Sequence, residues 1–191
     1  MKGMTMSKLC SDRDLAALIE DIRGDDSRDI EKIERQLSLF PEDPRLHFLR
    51  GSTLAGKQRA IEAHRSLQKA VELAPDYALA RYQLGFFELT SGEADRALST
   101  WGPLLKLPTE NYLRRFVDGL THLIRDEFAA AIAQFEAGIA LNQDNLPMNH
   151  DIGLLVAECR KALNGGTADG GEDESATSFL LGQVSPGATH H

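Results

Sequence analysis

Cysteine is nearly missing from this chain: Cys10 and Cys159 are the only two in 191 residues. A pair so far apart builds neither a disulfide framework nor the closely spaced ligands of a zinc site. Positive charge is scarce too. With 21 Lys and Arg against 29 Asp and Glu the net charge is −8, and the clustered basic face that a nucleic acid requires is not expected. No run approaches the ~20 apolar residues of a membrane span. Residues 1–10 hold no apolar stretch of the kind a secretory signal has, so a cytoplasmic protein is expected.

Catalytic signatures are wanting as well. There is no phosphate-cradling glycine loop, no Gly-x-Ser-x-Gly turn and no His-Glu-x-x-His pair. His47, His64, His122 and His150 follow no metal-ligand spacing. Asp25-Asp26 and Glu172-Asp173-Glu174 read as loop and tail charge, with no second carboxylate placed opposite them. The expectation is a chain with no enzymatic activity, no cofactor and no metal.

What the sequence does contain is a repeat. Gly51, Gly85, Gly119 and Gly153 recur at a constant interval of 34 residues. Three further rows keep the same register: Ala63, Ala97 and Ala131; Leu67, Trp101 and Phe135; Ala70, Leu104 and Gly138. The best-formed copy, residues 78–101, reads as two short amphipathic helices joined by the turn Thr90-Ser91-Gly92. A period of that length built from helix pairs predicts an α-solenoid. Small residues let paired helices approach closely, and a large residue one turn past the Ala row fills the gap that remains. An interior helical glycine costs about 1 kcal/mol relative to alanine. Keeping four of them implies a contact that needs them.

These rows resemble the tetratricopeptide repeat family, whose 34-residue unit carries a Leu-Gly pair, then an Ala, an aromatic and a Pro. Leu84-Gly85, Ala97 and Trp101 match that pattern, as do Ala63, Leu67, Ala70 and Pro75 in the preceding unit. The resemblance covers most of residues 10–163. It implies an all-α, right-handed superhelical solenoid of about four helix-turn-helix units, at 10–43, 44–77, 78–111 and 112–145, with a capping helix at 146–163 and a flexible segment at 1–9.

Local signals refine the outline. In the first unit Ala17 falls in the glycine row, Ser11 and Asp12 are N-cap candidates and Gly24 ends the helix. Asp43-Pro44 supplies an N-cap followed by proline at the first helical position. Gly102-Pro103 predicts a break near Trp101, with Leu104, Leu105 and Leu107 still packed. Ile61 is counted among the apolar positions of its helix, Thr109 with Glu110 opens the fourth unit, and Ile152, Leu155, Val156 and Leu163 face the stack. Residues 164–191 differ in kind, with six of the sixteen glycines, four acids and no Lys or Arg. That composition predicts disorder, interrupted by an apolar island at 178–184 containing Phe179, Leu180 and Leu181. His190-His191 read as native residues or as an added remnant.

The resemblance implies a concave groove lined by the first helix of each unit, which receives a peptide or helix of a partner protein. The residues it places there are Phe48, Tyr82, Phe86, Leu89, Phe116, Leu120 and Leu123. Family members that grip a C-terminal carboxylate use Lys, Arg and Asn, which these rows lack. Inter-repeat packing is the competing reading for Phe48 and Phe116. The expected function is non-catalytic protein binding, as an adaptor, co-chaperone or assembly factor. A secretion-type chaperone for a dedicated client and a homo-oligomeric scaffold are the alternatives. The island Phe179, Leu180 and Leu181 is a possible ligand of the chain's own groove.

Overall fold

The computed structural model describes residues 9–22 and 27–164, all of it helix, turn and connecting segment with no strand among them. The chain divides into two compact units, Met1–Ala80 and Arg81–His191. The first holds α1 (Asp12–Ile22), α2 (Asp29–Leu39), α3 (Pro44–Gly56) and α4 (Ala60–Leu73). The division falls within α5 (Ala78–Thr90). The second unit continues with α6 (Ala94–Trp101), a 3-10 segment (Gly102–Lys106), α7 (Tyr112–Ile124), α8 (Phe128–Leu141) and α9 (Leu146–Leu163). None of these helices is long and apolar enough to cross a membrane.

The helices α1, α3, α7 and α9 start at side chains that cap them, whereas α2, α4, α6 and α8 start without a side-chain cap bond. Ser11 Oγ accepts the Asp14 N–H at 3.1 Å at the head of α1. Asp43 accepts the Arg45 N–H at 2.9 Å ahead of Pro44. Asn111 accepts from Leu113 at 2.9 Å, and Asn145 from Met148 at 3.2 Å. Each bond satisfies one of the N–H groups that a helix start leaves unpaired. It is Asn111, rather than Thr109 with Glu110, that opens α7, because the cap must sit immediately before the first helical residue.

Three helix ends share one geometry. Gln58, Gly92 and Asp126 all have positive φ, at 59°, 82° and 56°. Around them the N–H groups of Arg59, Glu93 and Glu127 reach back to the carbonyls of Leu54, Glu88 and His122 at 2.9 to 3.0 Å. The N–H groups of Gln58, Gly92 and Asp126 bond to Ala55, Leu89 and Leu123, each at 3.0 Å. This paired closure with a left-handed residue at its centre is a common helix stop. Here it recurs at the 34-residue interval.

The glycine row does the same inside the helices. A Cβ on Gly51 would stand 2.7 Å from Leu67 Cγ, one on Gly85 2.6 Å from Trp101 Cδ1, and one on Gly119 2.5 Å from Phe135 Cδ1. Leu67, Trp101 and Phe135 are fully buried. The expected close approach therefore holds at three of the four glycines. Gly153 departs from it, with nothing within 4 Å of the Cβ position. No described helix follows α9 to fill that notch. Ala17 departs as well: it is exposed, and Leu18 beside it packs with Ile33, Leu46 and Cys10.

Gly102-Pro103 ends α6 at Trp101, and the chain continues as a 3-10 turn. Leu104 is buried there and Leu107 half-buried, but Leu105 faces solvent. Tightening to 3-10 winding turns it away from the core. Ile61 and Leu163 are also exposed, at 71% and 52%. Ile61 lies on the face of α4 opposite the buried Ala63, Ser66, Leu67 and Ala70, and Leu163 is the last residue of α9.

Candidate binding cleft

A cleft of about 310 Å³ lies within the second unit, between the middle of α5 and the first half of α9. Tyr82, Gln83 and Phe86 come from α5, where spacings of one and four residues put them on one side of the helix. Met148, Asp151, Ile152 and Leu155 come from α9 at spacings of three and four. Asn145 and Pro147 close one end.

Aromatic stacking forms the α5 wall. Tyr82 is 3% exposed, and its ring lies 6.2 Å from Phe86, 6.5 Å from Trp101 and 6.4 Å from Phe116. Trp101 Nε1–H donates to the Tyr82 carbonyl at 3.0 Å. Burial pushes the Tyr82 hydroxyl well above the ordinary tyrosine pKa, and the nearby Asp151 charge adds to the rise. Tyr82 is thus a neutral support, while Phe86 keeps part of its ring open to the cleft.

An asparagine network sets the α9 wall. Asn142, 1% exposed, donates to the Asn145 carbonyl at 2.9 Å and to Asn149 Oδ1 at 2.8 Å. It accepts from the Asn145 N–H at 3.0 Å, and Asn149 returns a bond to the Asn142 carbonyl at 2.9 Å. These bonds tie the α8–α9 link to the first turn of α9, which fixes where Met148 and Asp151 point. Asp151 remains exposed at the cleft edge. Partial burial of its carboxyl raises the pKa above the usual aspartate value, and only the neighbouring His150 pulls the other way.

The residues expected to line a groove divide into three groups. Tyr82 and Phe86 line the cleft. Leu89, Phe116, Leu120 and Leu123 are buried, the last three completely, so they pack beneath the surface. Phe116 is held there by Gly138, whose Cβ position lies 2.5 Å from Phe116 Cδ1. Phe48, in the first unit, is half-buried against Tyr77 with ring centroids 5.4 Å apart. Phe179, Leu180 and Leu181 lie outside the described residues. Sequence reasoning missed Gln83, Asn145, Met148 and Asp151. The spacing of Met148, Ile152 and Leu155 was a usable signal, but one stripe on α9 serves both packing and cleft.

No protein-family model matches the chain, and no curated protein does. Geometry alone carries the reading of the site. Among the described residues, no three His, Cys, Asp or Glu side chains come together as metal ligands. The thiols of Cys10 and Cys159 are free and buried. A second depression between α1 and α2 includes Asp14, Asp21, Lys32 and Arg35. Its Lys32 is already engaged by Asp21 at 3.2 Å and Asp29 at 3.7 Å. The α5–α9 cleft differs in being mostly apolar, which suits a side chain leaving water.

Proposed function

We propose that the chain is a non-catalytic protein-binding module of tetratricopeptide type, and that a segment of a partner protein lies in the α5–α9 cleft. The observation that carries the reading is the part-open ring of Phe86, backed by buried Tyr82 and facing Met148 and Ile152 across an unfilled space. An aromatic shelf of this kind gives a partner side chain contact area on both sides. The right-handed superhelical stack and the adaptor, co-chaperone or secretion-chaperone role belong to the same proposal. The 34-residue recurrence of helix stops and of filled glycine notches supports them.

Replacement of the half-buried Phe86 tests the reading. Phe86→Asp is expected to abolish partner capture while leaving the helical circular dichroism unchanged. Ile61→Asp, at a site 71% exposed in the other unit, is expected to retain it. Equal capture by both variants would place the binding surface elsewhere. A homo-oligomeric scaffold is the second reading, favoured by the open notch at Gly153 beside Leu154, which is 44% exposed. Light scattering across a wide concentration range separates the two, since a concentration-independent monomer rules out the scaffold.

A further inference from the structure

Among the described residues, Asp151 is the only charged one lining the α5–α9 cleft. Its side chain makes no hydrogen bond or salt bridge among the described residues. The more deeply placed carboxylates Asp43, Glu88 and Asp118 have each found a cation: Asp43 pairs with Arg45 at 2.7 Å, Glu88 with Arg96 at 3.2 Å and Asp118 with Arg114 at 2.8 Å. Asp151, exposed at the cleft edge, has none, and partial burial of its carboxyl raises its pKa. Around it stand the apolar atoms of Phe86, Met148, Ile152 and Leu155.

A carboxylate at the lip of an apolar, aromatic cleft complements a side chain with an aliphatic stem and a charged head. Lysine and arginine bury their methylenes along apolar surface and keep the cation at the edge, and an aromatic face attracts that cation further. This inference rests on the cleft being the binding site. We propose that the cleft takes a partner segment in which a lysine or arginine adjoins a bulky apolar residue, the cation pairing with Asp151 and the apolar side chain lying against Phe86. The net charge of −8 favours the same class of partner by steering. Residues 165–191 are the poorer occupant on composition, with four acids and no Lys or Arg to meet Asp151.

Two short peptides test the inference on the full chain: acetyl-Leu-Phe-Lys-Leu-amide and its norleucine analogue, which keeps the stem and loses the charge. Titrated into isotope-labelled protein and followed by NMR, the lysine peptide is expected to shift the amides of Gln83, Phe86, Asp151 and Ile152. It should bind about fivefold tighter than the analogue, the range of a partly exposed ion pair. Asp151→Asn should erase the preference without weakening the analogue, and high salt should shrink it. Equal binding of both peptides at the cleft overturns the cation inference and leaves the binding site standing. Absence of cleft shifts with either peptide overturns the site itself. Binding that emerges only after removal of residues 165–191 makes the chain's own continuation the occupant and overturns the proposal.

Discussion

The indole of Trp101 occupies the volume that a side chain on Gly85 would need, with Cδ1 and Cε2 both 2.6 Å from the Cβ position. Its Nε1–H donates to the carbonyl of Tyr82, which lies three residues before Gly85 on α5. One buried residue thus spaces α5 from α6 and backs the cleft wall. Trp101→Ala should cost about 3–5 kcal/mol in chemical denaturation, as for a large buried aromatic. Trp101→Phe should lose less, and a loss below about 1 kcal/mol for the alanine variant would deny the residue its place as the plug between the helices.

Alanine should have opposite effects at two positions of the same glycine row. At Gly85 the new methyl meets the indole, and overpacking costs about 1–3 kcal/mol against a helix-propensity gain of about 1 kcal/mol. Gly85→Ala should therefore be neutral to destabilising. At Gly153 nothing stands within 4 Å, so Gly153→Ala keeps the propensity gain and should raise the midpoint. A destabilised Gly153→Ala would mean that something occupies that notch in solution.

The helix stops allow a similar pairing. Gln58 and Asp126 adopt a conformation that favours glycine, whereas Gly92 already has it. Gln58→Gly should stabilise by up to about 1 kcal/mol, and Asp126→Gly by less, since aspartate tolerates the left-handed region better. Gly92→Ala should destabilise by about 1 kcal/mol. Thermal unfolding of the three variants checks the order, and a destabilised Gln58→Gly would contradict it.

These pairs show where the sequence was legible. A glycine among helix formers is conspicuous, so Gly51, Gly85 and Gly119 revealed the period and its plugs. Gly92 marked its turn for the same reason. Gln58 and Asp126 hold that backbone without the residue that advertises it, so their turns were hidden. Helical spacing also tells which residues share a face but not what covers the face. Phe86 and Leu120 fall in one row of the repeat, yet one lines an open cleft and the other is fully buried. The cover on Phe116 comes from α8, through a notch at Gly138 whose occupant the pattern did not name. Asp151 was illegible because its meaning lies in lacking a partner, and only coordinates show that.

The two thiols should be inert in the folded chain. Burial pushes Cys159 up to about 11, so roughly one molecule in a thousand carries the thiolate at pH 8. Burial also raises Cys10, and the acids Asp14 and Asp43 add to it. Ellman's reagent should react with neither at a measurable rate under native conditions and with both after urea denaturation. Rapid native labelling of Cys159 would show that α9 opens far more readily than its packing suggests.

Acid should attack the first unit at Asp43. Its carboxyl is completely buried and accepts from the Cys10 N–H at 2.9 Å, the Arg45 N–H at 2.9 Å and the Arg45 guanidinium at 2.7 Å. Arg45 in turn donates to the Cys10 carbonyl at 2.5 Å and to Asp12 at 2.6 Å, so the pair ties the chain ahead of α1 to the start of α3. Burial alone would raise the Asp43 pKa, but the bonds from Arg45 and Cys10 outweigh it and the value falls below the ordinary 3.8. A carboxyl depressed on folding adds stability that is fully present above its unfolded pKa and disappears as pH falls through the folded one. The wild-type chain should therefore lose stability below about pH 4 partly through this group. Asp43→Asn should be about 2 kcal/mol less stable at neutral pH, because the charge-assisted bonds from Arg45 are weakened while Arg45 keeps its pairing with Asp12. The gap between variant and wild type should narrow on acidification, when the wild-type carboxyl is protonated too. A gap constant from neutral pH to pH 3 would show that Asp43 contributes only a neutral hydrogen bond.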